Sequence, residues 1–292
     1  MGFREYFEYS ANFDRLECQR MSTSEEHEYL NHWKCVYRQY MQNADDLKKC
    51  YFGLRVYRAK KEIYCSAQMF IEAGLAKQSG CLTAFYFLCY YSLMHAMQGV
   101  LFLNPNIPDE KVIKLSHASI QKYFQDYYCK GRKSIISDMI IPFLVKLRTF
   151  REYYSYTMPW NHGVYETVDM EELETYLAGC YQLTNLHNMI LYSVQRGANT
   201  PLELRSKVQK YFIQCCCKLH PDTEQPMIEE ADKDTMSDFM KGGFGYEPPL
   251  ITYEHDYDEY GGYDFSAVTG WNSNQLSEVR RDTLRLIYRI IV

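Results

Sequence analysis

The stretch AFYFLCYYSLMHAMQGVLFL, residues 84–103, decides how this 292-residue chain folds. It lies in a window from Gln78 to Pro108 that contains no Asp, Glu, Lys or Arg. Its length suits a membrane-spanning helix, for which about 20 apolar residues suffice. Tyr, Ser, His and Gln side chains are nevertheless spread through its middle, whereas a lipid-facing span is dominated by Leu, Ile and Val. We therefore expect a helix buried at the centre of an all-helical domain, and no membrane span.

The composition supplies enough apolar material for a core, since 47% of the residues are hydrophobic. The net charge of −5 argues against a generic nucleic-acid coat but leaves room for a local basic patch. The N-terminal MGFREYFEYS carries charge where a signal peptide has its apolar region. The 11 cysteines are odd in number and irregularly spaced. Together these features predict a reducing, cytoplasmic location.

Capping and turn residues divide the chain into helices. Residues 1–43 predict an N-terminal helical arm with Ser24 as a cap, and residues 44–220 predict a helical bundle. Inside the bundle, the first helix is expected from Asp45 or Asp46 to Gln78, and the uncharged helix is expected to end at Asn104-Pro105. Shorter helices are expected after the cap Ser116 and after Ser137 or Asp138, the latter with Pro142 in its first turn. A long helix is expected from about Met170 to Val194, with Thr167 or Asp169 as its cap, and a shorter one in the segment before Pro221.

Residues 221–292 predict an acidic C-terminal region. From Asp222 to Asp264 there are many acidic residues against only Lys233 and Lys241, and Gly, Pro and Tyr punctuate the segment. This composition predicts a loop-rich or partly disordered stretch. The last residues, LSEVRRDTLRLIYRIIV, are basic and amphipathic, and predict a terminal helix or strand that folds back on the acidic part. We also hypothesise that the acidic stretch covers a basic groove on the bundle or on a partner.

One arginine lies in a stripe of apolar residues. The helix FLVKLRTFREYYSY has its apolar positions at spacings of four, three and four, namely Phe143, Leu147, Phe150 and Tyr154. At about 100° per residue, Arg151 lies about 40° from Leu147, inside this stripe. Arg148 lies at its edge, where it can pair with Glu152. A buried arginine is costly unless it is paired or used, so Arg151 is either satisfied at a helix seam or functional.

The order of the elements resembles the HEPN superfamily of small helical bundles. A long helix is followed by AFYFLCYYSLMHAMQGVLFL, then by the short SHASIQKYF, then by a helix that ends in LRTFREYYSY, and then by a final long helix. The resemblance covers roughly residues 44–196. It implies an antiparallel bundle of four or five helices that commonly forms a homodimer. HEPN members include RNA-cleaving toxins, anti-phage proteins and non-catalytic relatives.

The resemblance also implies a candidate catalytic set. Active members carry an arginine and a histidine four to six residues apart, and cut RNA without metal where two copies meet. In such a reaction the 2′-hydroxyl loses a proton, the 5′-oxygen gains one, and a guanidinium stabilises the phosphorane. Arg151 matches the arginine. Residues 156–158, where the histidine is expected, contain no histidine, and the next one, His162, is separated from Arg151 by ten residues. Some relatives keep Arg and Tyr without the His, which REYYSY resembles.

The candidate site residues follow from this pattern. Arg151, with His162 or His117 as acid or base, forms the candidate catalytic set, and Arg148, Arg151 and Asn161 are the candidate nucleic-acid contacts. His95 lies mid-helix among apolar residues and is expected to be a hydrogen-bonded core histidine. His117, at a helix start, is placed to face a groove. No cofactor and no metal are expected.

Other motifs are incomplete. Cys217 and His220 have a metal-like spacing, but a zinc site needs a second pair, which is absent from the sequence. The stretch from Asp256 to Gly261 is similar to the start of a calcium loop, yet Ala267 stands where that loop needs a bidentate Glu. The common nucleotide-, hydrolase- and zincin-type motifs are missing.

Two functional hypotheses remain. The first is a bacterial defence or toxin–antitoxin type protein that acts on RNA, with RNA or a cognate antitoxin protein as partner. The alternative is a non-catalytic HEPN-like interaction module that binds a partner protein or a nucleotide, with Arg151 as a structural or binding residue.

Overall fold

The structure of the chain, a computed structural model, describes residues 2–7, 11–17, 21–130, 134–157, 168–249 and 273–292. These residues are mostly helical, which confirms the prediction of an all-α protein. The α-helices are α1 (Asp14–Glu17), α2 (Thr23–Asn43), α3 (Asp46–Gln78), α4 (Leu82–Phe102), α5 (Asp109–Val112), α6 (His117–Phe124), α7 (Ile140–Glu152), α8 (Met170–Val194), α9 (Arg205–Cys216), α10 (Glu230–Lys241) and α11 (Ser273–Ile291).

Shorter elements connect these helices. Turns of 3-10 helix span Phe3–Tyr6 and Leu202–Leu204, and turns of π-helix extend α6 and α7 over Gln125–Cys129 and Tyr153–Thr157. Two-residue strands form antiparallel pairs, β1 (Gly197–Ala198) with β4 (Phe244–Gly245), and β2 (Lys218–Leu219) with β3 (Pro226–Met227).

Helices α3 and α4 form an antiparallel hairpin. The Asp45 side chain caps α3 by accepting from the Lys48 amide at 2.8 Å. Gly80 makes the turn with φ +70, a left-handed conformation that favours glycine. A methyl group at Gly99 would lie 3.5 Å from Cβ of Glu62, so the two helices approach closely there.

Helix α4, the uncharged stretch, lies at the centre of the bundle. It packs against α3, α6, α7 and α8, and most of its side chains are buried. Some of its polar groups form hydrogen bonds with neighbouring helices. The Ser92 carbonyl of α4, for example, accepts from the Ser66 hydroxyl of α3 at 2.7 Å. Within the described ranges, no helix combines the length and apolar character that crossing a bilayer requires. The prediction of a buried central helix is therefore confirmed.

A fully buried arginine closes the end of α4. The Arg55 guanidinium donates to the carbonyls of Phe102 at 2.8 Å, Asn104 at 2.6 Å and Ile107 at 3.0 Å, and pairs with Asp109 at 3.0 Å. The unpaired carbonyls at the end of a helix need such donors. Arg55 thus fixes the loop that leads from α4 to α5.

The second layer of the bundle consists of α2 and α8. Asp169 caps α8, as one of the two predicted caps. The cap of α2 is Ser22 and not Ser24, because Ser22 and Glu25 form a capping box in which each side chain bonds the other's backbone. Within this layer, the His187 ring of α8 is fully buried.

The C-terminal helix α11 joins the bundle by packing on α3 and α8, whereas the sequence placed it against the acidic part. Gln182 of α8 forms hydrogen bonds with both α1, near the N-terminus, and α11, at the C-terminus. Its amide donates to Asp14 at 2.7 Å and to the Ile290 carbonyl at 3.0 Å, and its oxygen accepts from the Arg15 amide at 2.9 Å.

Part of the acidic region is helical, which corrects the prediction of a loop-rich stretch there. Helix α10 begins with a capping box between Glu229 and Asp232, and packs on α9. Lys61 of α3 binds the carboxylates of Glu229 and Asp232, each at 2.8 Å, and the Tyr57 hydroxyl donates to Asp232 at 2.9 Å. Residues 250–272, with the calcium-like stretch, lie outside the described residues.

Candidate functional site

Four helices bring cationic and aromatic side chains together at one edge of the bundle. Tyr90, Tyr91 and His95 come from α4, and they meet a carboxylate of α3, a histidine of α6 and an arginine of α7. We call this set the Tyr91 cluster; its members are Glu62, Tyr90, Tyr91, His95, His117 and Arg151. It lies where α4, the central helix, is flanked by α3, α6 and α7.

Arg151 packs against the two tyrosine rings. Its guanidinium carbon lies 4.7 Å from the ring centroid of Tyr90 and 5.8 Å from that of Tyr91, in cation–π contact. Nη1 bonds the Tyr91 hydroxyl at 3.4 Å and Nη2 pairs with Glu152 at 3.1 Å. The side chain is only 12% exposed, as its place in the apolar stripe predicts.

One donor of Arg151 is not used. Among the residues that the structure describes, Nε of Arg151 has no hydrogen-bond partner. An unsatisfied buried donor costs about 1–3 kcal/mol. The hydrogen-bonding capacity of the Arg151 guanidinium is therefore not fully used by the described contacts.

His117 is the neutral histidine of the cluster. It begins α6 directly after the cap Ser116, and its Nδ1 shares a hydrogen bond of 3.0 Å with the Tyr90 hydroxyl. Its ring lies 5.6 Å from that of Tyr91 and is exposed. Partial burial, and then the positive charges of Arg151 and His95, lower the pKa of His117. A neutral, exposed imidazole can accept a proton at pH 7.

His95 is the charged histidine of the cluster. Its Nδ1 lies 2.5 Å from Oε2 of the buried Glu62, whose Oε1 binds Nη2 of Arg58 at 2.5 Å. Desolvation alone would lower the pKa of His95, but hydrogen bonds with Cys65 and Glu62 and the Glu62 charge raise it to about 10. The sequence predicted a core histidine; its side chain is 22% exposed and its ring lies 6.3 Å from Tyr91.

Exposed aromatic rings lie close in sequence to residues of the cluster. Phe87, one turn before Tyr91 on α4, is 43% exposed, and its ring centroid lies 4.5 Å from that of Tyr91. Tyr156, in the π-helical turn after α7, is 77% exposed. Exposed rings beside cations form a surface on which nucleobases can stack.

The structure brings two of the sequence-predicted residues, Arg151 and His117, into one cluster. Arg148 is exposed one turn before Arg151, while Glu152 pairs with Arg151, although the sequence suggested Arg148 for this pair. Asn161 and His162 lie outside the described residues.

Among the described residues, the incomplete zinc motif gains no further ligands. The ring of His220 accepts a hydrogen bond from the Asp222 amide at 3.3 Å, and burial raises the pKa of Cys217 to about 11. In the part of the chain that is described, no three His, Cys, Asp or Glu side chains are grouped so that they could hold a metal ion.

Sequence reasoning missed the Glu62–His95 pair. The two residues are 33 positions apart on different helices, so no local spacing reveals them. The one signal in the sequence is that Glu62 is the acidic residue that ends the basic stretch RVYRAKKE.

The fold and the cluster define an α-helical protein with an arginine–tyrosine–histidine site at a helix seam. Comparisons of the chain with protein-family models, with curated proteins and with solved structures find no match. The function must therefore be argued from the cluster itself.

Proposed function

We propose that this chain is a HEPN-like helical bundle that binds RNA and cleaves it without metal, as part of a bacterial defence or toxin–antitoxin type system. The observation that supports the proposal is the convergence of Arg151, His117 and His95 around the tyrosines of α4. A neutral base and a fixed guanidinium are two of the groups that metal-independent phosphodiester cleavage needs, besides an acid for the leaving oxygen.

Each group has a role in this reaction. Neutral His117 removes the proton of the 2′-hydroxyl, whose oxygen then attacks the adjacent phosphorus. Arg151 stabilises the charge that develops on the phosphorane oxygens, as a preorganised donor in a partly buried site. The imidazolium of His95, held by Glu62, adds a second positive charge. His162 stays a candidate for the acid that protonates the leaving 5′-oxygen.

The surface around the cluster suits a single strand. Phe87 offers a ring for stacking, and Arg148 an exposed charge for a phosphate. A homodimer that joins two such clusters would extend the surface, as the HEPN resemblance implies.

The test is incubation of the purified protein with single-stranded RNA in the presence of EDTA. We expect products that end in a 2′,3′-cyclic phosphate, and no cutting where the 2′-hydroxyl is replaced by hydrogen. Arg151→Ala and His117→Ala should each lower the rate by about 100-fold or more. Arg285→Ala, which removes an exposed charge on α11 paired with Asp282, is the matched control and should leave the rate unchanged.

Cleavage that requires a metal, or that survives Arg151→Ala, would contradict the proposal. The alternative is a non-catalytic module that binds a partner protein or a nucleotide. The pairing of Arg151 with Glu152 favours it, because this contact already offsets part of the guanidinium charge. RNA or nucleotide that is bound through Arg151 and recovered intact would support the module.

A further inference from the structure

Two donors of α3 converge on one carboxylate oxygen of α10. Lys61 Nζ lies 2.8 Å from Oδ1 of Asp232, and the Tyr57 hydroxyl donates to the same oxygen at 2.9 Å. The Asp232 side chain is only 3% exposed, and Glu229 adds a second carboxylate oxygen 2.8 Å from Lys61 Nζ. An ammonium group and a hydroxyl that meet at one oxygen can hold a phosphate oxygen as well as a carboxylate oxygen.

The two donors are positioned by α3 and α9. Tyr57 and Lys61 are one turn apart on α3, so their side chains lie on the same face. The Tyr57 ring is stacked on Phe212 of α9, with 6.1 Å between the ring centroids and 19° between the ring planes. Lys61 Nζ lies 5.8 Å from the centroid of the Tyr57 ring. Because none of these supports belongs to α10, the donors keep their positions when α10 is displaced.

Helix α10, which covers the two donors, has little apolar surface with which to hold its place. In residues 229–241 the acidic residues outnumber the basic ones, whereas the covered stretch of α3, RVYRAKKE, is basic. Among the α10 side chains that the structure describes, only Asp232 and Phe239 are buried, and Met236 is partly buried. A short helix is stabilised in a protein mainly by its packed face. The contact of Asp232 with α3 is therefore a large part of what holds α10 on the bundle.

The covered donors lie beside the Tyr91 cluster on α3. Arg58 and Glu62 follow Tyr57 and Lys61 by one residue each, so they form the next row of side chains around the helix, about 100° away. Arg58 binds Glu62, which in turn binds His95 of the cluster. The Arg58 side chain is 27% exposed. A chain of phosphates bound at the cluster can therefore extend past Arg58 to Lys61.

We propose that Tyr57 and Lys61 form a phosphate-binding site that Asp232 occupies, so that α10 is an autoinhibitory element which single-stranded RNA displaces. In the open form, Lys61 and the Tyr57 hydroxyl donate to a phosphate oxygen in place of Oδ1 of Asp232. The exchange replaces one anion by another and changes no covalent bond. That the ligand is RNA rests on the proposed function, whereas the occupation of the site by α10 does not.

The experiment measures how tightly the full-length protein binds a fluorescein-labelled oligouridylate with 2′-O-methyl groups, by fluorescence anisotropy. Asp232→Asn removes the competing charge, so the Kd should fall by about fivefold or more. Between 50 and 200 mM salt, the slope of log K against log salt should steepen by about 0.7, the value for one more phosphate contact with a single strand. Asp234→Asn, which removes the same charge from an exposed position of α10, is the matched control and should change the Kd by less than about twofold.

Three further measurements separate a phosphate site from a purely structural ion pair. Lys61→Gln in the Asp232→Asn background should abolish the gain in affinity. Glu229→Gln, at a carboxylate that is 61% exposed, should tighten binding in the same direction even where Asp232→Asn fails to fold. In the native protein, the oligonucleotide should speed hydrogen exchange of the α10 amides.

The proposal is overturned by an unchanged Kd in folded Asp232→Asn and Glu229→Gln, by an equal gain in Asp234→Asn, or by a gain that survives Lys61→Gln. The probe has no free 2′-hydroxyl, so its binding is measured without cleavage. A gain in Asp232→Asn together with no cleavage of unmodified RNA would therefore contradict the proposed enzyme alone. Cleavage by the native chain without such a gain would contradict the role of α10 alone.

Discussion

Two histidines that lie beside tyrosine rings differ in burial and in the direction of their pKa shift. His187 lies fully buried between α2 and α8, while His95 lies at the partly exposed edge of the Tyr91 cluster. Burial, and then the charge of His32, lower the pKa of His187 to about 3, whereas the pKa of His95 is raised to about 10. The partner decides the charge: hydroxyl groups leave a buried ring neutral, and a carboxylate keeps it protonated.

The hydrogen bonds of His187 are complete in the neutral form. Tyr37 donates its hydroxyl to the Leu103 carbonyl at 2.8 Å, so at 3.0 Å it must accept from Nδ1 of His187. Nε2 then accepts from the Tyr29 hydroxyl at 2.7 Å. This inferred tautomer satisfies both ring nitrogens without any charge, which is typical of a structural histidine. The Tyr91 cluster instead retains net positive charge and an unused arginine donor, which is typical of a binding site.

The largest effect is expected from removal of the carboxylate that holds His95. Glu62→Gln leaves Arg58 and His95 without their charged partner in a largely buried site, so the free energy of unfolding should fall by about 3 kcal/mol. Urea unfolding measures this change. Glu72→Gln on the same helix, where the carboxylate accepts from Gln68, is the matched control and should change it by less than about 0.5 kcal/mol. Equal losses in both variants would mean that the pair does not stabilise the fold.

A smaller loss is expected on the structural side of the comparison. Tyr37→Phe leaves the Leu103 carbonyl and Nδ1 of His187 without partners, at a cost of about 2 kcal/mol. Tyr40 is the matched control, because its buried hydroxyl has no hydrogen-bond partner among the described residues. Tyr40→Phe should therefore leave the free energy of unfolding unchanged or slightly raised. If the two variants were equally stable, the His187 network would contribute nothing.

The fold was largely predictable because its signals are local. The sequence predicts a helix start at Asp45 or Asp46, the cap Ser116, and one of two caps for α8. Asp45, Ser116 and Asp169 each cap a helix in the structure. The predicted cap Ser24 was wrong, although Ser22-x-x-Glu25 has the spacing of a capping box. Helix α10 was not predicted, because its acidic composition is typical of a loop. It is stabilised by tertiary contacts, namely its packing on α9 and the ion pair between Lys61 and Asp232.

The site was only half predictable because half of it depends on packing. Arg151 stands out by its angle in an apolar stripe, and His117 by its position at a helix start. The partner of His95 depends on the register between α3 and α4, which is set by the close approach at Gly99. Spacing along the chain carries no information about that register.

Per pH unit, the smallest changes are expected from titration, and they have opposite signs for the two histidines. For His187, the folded pKa lies below the unfolded value near 6.5, so its stabilising contribution is lost as pH falls from about 6.5 towards 3. For His95, the folded pKa lies above that value, so its contribution is lost as pH rises from about 6.5 through 10. Either contribution changes by at most about 1.4 kcal/mol per pH unit.

Urea unfolding at pH 5, 6.5 and 8.5 separates the two contributions. Relative to the native chain, His187→Gln should gain stability between pH 6.5 and 5, because only the native chain then keeps a histidine that resists protonation. His95→Gln should gain relative stability between pH 6.5 and 8.5, because the native chain there loses the advantage of its raised pKa. If both variants followed the native chain at every pH, the two rings would have the same charge in the folded and unfolded states. The distinction between a structural and a site histidine would then rest on exposure alone.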